Sequence, residues 1–200
     1  MGSWVLEELV QRARAGDDNA FAALVETYQT PIYNLCYRML GEAGEAEDAA
    51  QETFLRAYHQ LARYDPARSF KTWLFSIANH HCIDRLRKRR LTWLSLDADL
   101  PPHPALNEQS PGPEEASVRR EQTEMLQKLL AQLPPEDRSV VVMRYWYDLS
   151  YEEIAEATTT TVSAVKSRLH RARGNLGELL AGNAPDRRAA ARPALRVEGG

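Results

Sequence analysis

Leu149-Ser150-Tyr151-Glu152-Glu153-Ile154-Ala155-Glu156-Ala157, then Thr158-Thr159-Thr160-Thr161, then Val162-Ser163-Ala164-Val165-Lys166-Ser167-Arg168-Leu169-His170-Arg171-Ala172-Arg173, is the stretch on which the fold turns. Ser150 is a good N-cap, and Glu153 three residues on completes a capping box, so a short helix starts here. Four threonines make a tight polar turn. A second helix runs from Val162 to about Leu176. Two helices of these lengths around such a turn form a helix-turn-helix, whose second helix enters the major groove. At 3.6 residues per turn, Val162, Val165, Leu169, Ala172 and Leu176 share one side and pack inward. Ser163, Ser167, His170, Arg171 and Gly174 lie opposite, with Lys166, Arg168 and Arg173 on the flanks. Arg can take guanine edges bidentately, and flanking cations suit phosphates. A solvated face on a plain helical hairpin is the simpler alternative. Capping box, turn and segregated basic face together favour DNA.

Upstream, Leu126, Leu129, Leu130 and Leu133 form a helical stripe ended by Pro134-Pro135, and Asp137 to Tyr147 reads as another helix. Before them, Ser95 to Glu115 holds Pro101, Pro102, Pro104, Pro111 and Pro113 with no periodicity, which reads as a linker. Helical spacing dominates again from about residue 4 to 90. Asp17-Asp18-Asn19 offers an N-cap, Pro31 a fresh helix start, Gly41 to Gly44 a break, and Tyr64 to Ser69 a loop before a long helix from Phe70. No strand pattern of useful length occurs. The expected fold is all-α. Two small helical domains, 1–92 and 117–181, are joined by a flexible linker over 93–116, and an Ala/Arg/Pro/Gly-rich tail over 182–200 is disordered.

The N-terminal half carries two charged faces. On the helix from Phe70, the residues Phe70, Trp73, Leu74, Ile77 and Ala78 form the apolar stripe, with Ser76, Asn79, His80, Ile83, Arg87 and Arg90 on the other side. Its end, Arg85-Leu86-Arg87-Lys88-Arg89-Arg90, holds more cations than a helix C-terminus requires, which points to phosphates. Glu42, Glu45, Glu47, Asp48 and Glu52 make the preceding helix acidic, which suggests a protein partner as well. The net charge of −3 excludes a uniformly basic coat but not local basic faces.

Other functions find little support. Neighbouring residues on a helix point roughly 100° apart, so His80-His81-Cys82 cannot converge on one ion, and neither metal nor other cofactor is expected. No Gly-rich phosphate loop, catalytic triad or paired-carboxylate signature occurs, so no catalysis is indicated. Cys36 and Cys82 read as reduced thiols in helix cores. No apolar run approaches the ~20 residues of a membrane span, and no secretory signal pattern is present, so a cytoplasmic location is expected.

Three segments together resemble the extracytoplasmic-function sigma factors of bacterial RNA polymerase. Asp48-Ala49-Ala50-Gln51-Glu52-Thr53-Phe54-Leu55-Arg56-Ala57-Tyr58 is similar to their core-polymerase-binding helix. Phe70 to Ala78, running into Asp84 to Arg90, is similar to their promoter-melting segment, and the stretch quoted first to their C-terminal helix-turn-helix. The resemblance spans roughly residues 15 to 180.

It implies that Asp48, Gln51, Glu52, Phe54 and Leu55 meet the polymerase core, its β and β′ subunits, at the clamp helices. It implies that Tyr64, Arg68, Ser69, Lys71, Ser76, Asn79, His80, Ile83, Arg87 and Arg90 take the −10 element, with one base extruded into a pocket. It assigns the −35 element to Ser163, Lys166, Ser167, Arg168, His170, Arg171 and Arg173. An anti-sigma factor is a further implied partner. Family members often carry Asn where His80 stands, and Pro and Gly where Thr161 and Ser163 stand, which leaves the extruded base and the −35 contacts open. A helix-turn-helix regulator that binds an operator without sigma activity is the alternative, but it leaves the acidic helix and the melting segment unexplained.

Overall fold

The computed structural model describes residues 3–95 and 114–182. Among them every regular element is helical: α1 (Ser3–Arg14), α2 (Asp18–Leu40), α3 (Ala43–Gln60), a 3-10 turn (Leu61–Arg63), α4 (Phe70–Ser95), α5 (Glu114–Ala131), α6 (Pro135–Tyr147), α7 (Tyr151–Ala157) and α8 (Val162–Gly182). The expected linker over 93–116 therefore opens and closes in helix; its middle, 96–113, and the tail after Gly182 lie outside the described residues. No described helix is long and apolar enough to cross a membrane.

Asp17 caps α2 as its spacing predicts, its carboxylate accepting from the Ala20 N–H at 3.1 Å. Pro31 starts no new helix, contrary to the sequence reading: α2 runs unbroken through it. The reason is packing. Leu24, Tyr28, Ile32, Leu35, Cys36 and Met39 form one buried stripe spanning the proline. A helix-interior proline costs about 3 kcal/mol, whereas burying each large apolar side chain stabilises by about 1.5–3 kcal/mol, so the stripe wins. Gly41 ends the helix at φ 83°, donating to the Tyr37 carbonyl.

The buried face of α3 is Ala46, Ala49, Ala50, Thr53 and Ala57. Such small side chains let α3 lie close against α2 and α4. Thr53 satisfies its hydroxyl on the Ala49 carbonyl at 2.7 Å. Of its larger apolar residues, Leu55 and Tyr58 are exposed, while Phe54 is half-buried against the core.

Leu74, Phe75, Ala78 and Cys82 of α4 pack toward α2 and α3, and both cysteines are buried and free. The opposite side of α4 lies under α6 and α7. The C-terminal helices have their own interior, with Leu130, Leu133, Val140, Met143, Leu149, Ile154, Val165 and Leu169 buried. The two helical units thus pack on each other, and their buried side chains form one continuous core.

Candidate nucleic-acid and polymerase interfaces

The helix-turn-helix forms as its spacing predicts. The Ser150 hydroxyl accepts from the Glu153 N–H at 3.2 Å, and the Glu153 carboxylate accepts from the Ser150 N–H at 2.8 Å. Burial pulls the Glu153 carboxyl up, but the bonds from Ser150 outweigh it and hold the group below its ordinary range. The turn closes through Thr158 and Thr160 N–H bonds to the carbonyls of Ile154 and Ala155. Thr159 is left-handed at φ 51°, and the Thr161 hydroxyl caps α8 by accepting from the Ala164 N–H at 3.1 Å.

On α8, Val165, Leu169 and Ala172 are buried while Ser163, Lys166, Ser167, His170, Arg171 and Arg173 are exposed and Arg168 half-buried. Two of these cations already have hydrogen-bond partners. Arg173 donates to the Tyr145 hydroxyl at 2.8 Å. Arg171 lays its guanidinium bidentately on Asp137, both bonds 2.7 Å, and that carboxylate is 1% exposed. Sequence reasoning missed Asp137, because the partner is set by packing α8 on α6 rather than by local spacing.

Before α4, the loop 64–69 is ordered by its own groups. The Tyr64 hydroxyl donates to the Arg68 carbonyl, the Asp65 carboxylate accepts from the Ala67 N–H, and Ser69 caps α4 through the Thr72 N–H. Beneath it the rings of Tyr64, Phe70 and Trp73 pack together, with centroids 4.9–5.7 Å apart. Between this loop and α1 lies a cavity of about 340 Å³, lined by Leu6, Glu7 and Gln11 on one wall and Tyr64, Arg68 and Ser69 on the other. The wall from α1 was not foreseen, since nothing local in its sequence signals it.

The face of α4 assigned to the −10 element is only partly open. His80, Arg87 and Arg90 are exposed, Lys71 and Ser76 half-buried, and Asn79 and Ile83 buried, at 0% and 7% exposure. The helical wheel alone puts Asn79 and Ile83 at the surface. Asn79 is buried under α6, where the Ser139 hydroxyl donates to its side-chain oxygen, and Ile83 belongs to the buried core. The basic run divides as well. Arg85 and Arg89 turn toward α3, pairing with Asp48 at 3.9 Å and with Glu45, whereas Arg87 turns to Glu136.

Asp48, Gln51 and Leu55 of α3 are exposed, Leu55 at 57%, while Glu52 and Phe54 are half-buried. Glu52 accepts from Arg56 at 2.6 Å, and that guanidinium holds its carboxyl below the ordinary range. An apolar hollow lined by Phe21, Val25 and Tyr58 adjoins this face. Acid, exposed leucine and aromatic rings side by side form a surface fitted to a protein.

This combination of a helix-turn-helix, an α4 face with a basic rim and an acid-aromatic α3 surface defines a subunit that holds polymerase and promoter at once. The family model for sigma-70 region 2 matches residues 24–92, and that for sigma-70 region 4 matches residues 123–176. The chain is 39% identical over 182 residues to the ECF RNA polymerase sigma factor SigW of Bacillus subtilis (strain 168), covering 88% of this chain and 97% of that protein. It is 34% identical over 179 residues to the RNA polymerase sigma-H factor of Pseudomonas aeruginosa, covering 87% of this chain and 93% of that one. Among solved structures, CnrH in complex with the cytosolic domain of CnrY superposes with a TM-score of 0.69 at 24% identity, covering 90% of this chain and 99% of that one. The sigma factor RpoE of Bartonella quintana, solved with the anti-sigma factor NepR, gives 0.65 at 22% identity, covering 82% and 98%. The chain belongs to the extracytoplasmic-function sigma factors of bacterial RNA polymerase.

Proposed function

We propose that this sigma factor divides its work among three surfaces. Asp48, Gln51, Glu52, Phe54 and Leu55 on α3 dock the polymerase core. The loop from Tyr64 to Ser69, with Lys71, Ser76, Asn79, His80, Ile83, Arg87 and Arg90 on α4, takes the −10 element as a single strand. Ser163, Lys166, Ser167, Arg168, His170, Arg171 and Arg173 read the −35 duplex. Residues 1–92 and 117–181 act as the two working domains. The cavity between α1 and the loop 64–69 receives the extruded base, its volume lying in the range of small-molecule sites. The chain binds and positions, and the polymerase supplies the catalysis. It works in the cytoplasm and takes an anti-sigma factor as a partner, as the similar structures solved with CnrY and NepR suggest.

The observation that carries this reading is the pairing of a capped helix-turn-helix with a separate acid-aromatic helix face in one chain. An operator-binding regulator needs only the first. The test is reconstitution with sigma-free core polymerase on a promoter library, with the transcripts sequenced. Specific starts that depend on the protein are expected. Duplex binding without core-dependent initiation rejects the reading in favour of the regulator. Arg171→Ala refines it: with a buried carboxylate left unpaired, the unfolding midpoint falls, and −35 affinity falls by about 1–3 kcal/mol only if the guanidinium also reaches a base.

A further inference from the structure

We propose that α1 forms the reading wall of the base cavity: Gln11 hydrogen-bonds the edge of the extruded −10 base and so sets which base is accepted there. The inference rests on the assignment of that cavity above.

The cavity has two unlike walls over an apolar floor. Val10 of α1 and the Phe70 ring, both buried, make that floor, which suits the face of a flat base. On the loop side the polar groups are already engaged. The Tyr64 hydroxyl gives its hydrogen to the Arg68 carbonyl. The Ser69 hydroxyl accepts from the Thr72 N–H at 3.4 Å, and the Arg68 guanidinium pairs with Glu156 at 2.6 Å. Stacking and apolar contact tolerate any base, since every base has a π-face. Discrimination needs donors and acceptors set against the base edge.

The wall from α1 supplies them. Glu7 and Gln11 stand one turn apart on the same side of the helix, both exposed and both lining the cavity. The Arg14 guanidinium donates to the Gln11 side-chain oxygen at 3.3 Å, which leaves the amide NH2 to donate to a base. A carboxylate is acceptor-only, so the two side chains together present an acceptor beside a donor.

The helix that carries them is fixed in place. Val10 and Ala13 are buried. Arg12 donates to one carboxylate oxygen of Asp17 through Nε at 2.9 Å and Nη2 at 2.6 Å. The other oxygen of Asp17 caps α2 through the Ala20 N–H. The end of α1 is thereby tied to the start of α2. A reading group on such an element holds its geometry better than one on a loop.

The test uses core polymerase with the full chain, on forked DNA made from a promoter that the library experiment yields. An abasic scan along the non-template −10 strand finds the position where removing the base weakens binding most. Templates carrying each of the four bases there, and the abasic one, are then titrated with wild type and with Gln11→Ala. The preference among the four bases should shrink about fivefold, the size of one lost hydrogen bond, while affinity for the abasic template, which has no edge to read, stays within about twofold. An equal loss on all the templates marks a merely structural residue and overturns the inference, as does a preference that survives intact. Gln11→Glu keeps the side chain's size and exchanges donors for acceptors. It should change the ranking of the four bases, and an unchanged ranking also overturns the assignment. If no abasic position weakens wild-type binding, the extrusion reading itself fails, and the role of α1 fails with it.

Discussion

Arg138 holds a charge in an interior where its hydrogen bonds go to carbonyl oxygens. Burial, and then the nearby Arg89, bring its pKa down to about 10, still far above neutrality, so it stays charged. Truncation leaves those carbonyls without a donor. Arg138→Ala is expected to destabilise the chain by about 3 kcal/mol in urea unfolding. A loss under about 1 kcal/mol would mean water replaces the guanidinium freely. His81 shows the opposite balance. Desolvation first, then the charges of Arg56 and Arg85, hold its pKa below the ordinary value. A histidine depressed on folding contributes stability that is present above its unfolded pKa of about 6.5 and is lost as pH falls toward the native value. Unfolding midpoints should therefore drop between pH 7.5 and 5.5, and His81→Gln should flatten that slope. An unchanged slope in the variant assigns the effect elsewhere.

At the scale of elements, local signals were legible and tertiary ones were not. The capping box of Ser150 and Glu153 could be read because both partners lie three residues apart. Pro31 misled because its effect is decided by a stripe of side chains packed against other helices. Asn79 was assigned to the surface because the wheel of α4 cannot know that α6 covers it. Asp137 was overlooked as the partner of Arg171 for the same reason, 34 residues away in sequence. The turn between α7 and α8 invites improvement. Thr159, β-branched and at φ 51°, sits where glycine is unstrained. Thr159→Gly should raise the thermal midpoint by a few degrees, equivalent to about 1 kcal/mol. A lower midpoint would show that the side chain's contact near His80 outweighs the strain. For α3, Glu52→Lys loses a half-exposed i,i+4 pair with Arg56, worth a few tenths of a kcal/mol to the fold. It should nevertheless weaken core binding about tenfold. Unchanged affinity would remove Glu52 from the docking surface.

The whole molecule adds what neither half contains. All-α architecture, two units and the order of the three functional segments were readable from composition breaks and helical spacing. The interface between the units was not, because Arg138 meets Met39 across 99 residues. That interface links the interiors into one core, so calorimetric unfolding should be a single transition whose calorimetric and van't Hoff enthalpies agree. Two separated transitions would show that the units do not support each other.

The alanine lining of α3 has a consequence for competition among copies of the chain. That helix packs on α2 and α4 through its small residues, and Asp48, Gln51, Leu55 and Tyr58 on it are exposed. Asp48, Gln51 and Leu55 are exposed with the two halves packed together, so the docking role proposed for them requires no separation of the halves. Competition among free copies for polymerase is then decided at that open surface and not by the packing of the halves.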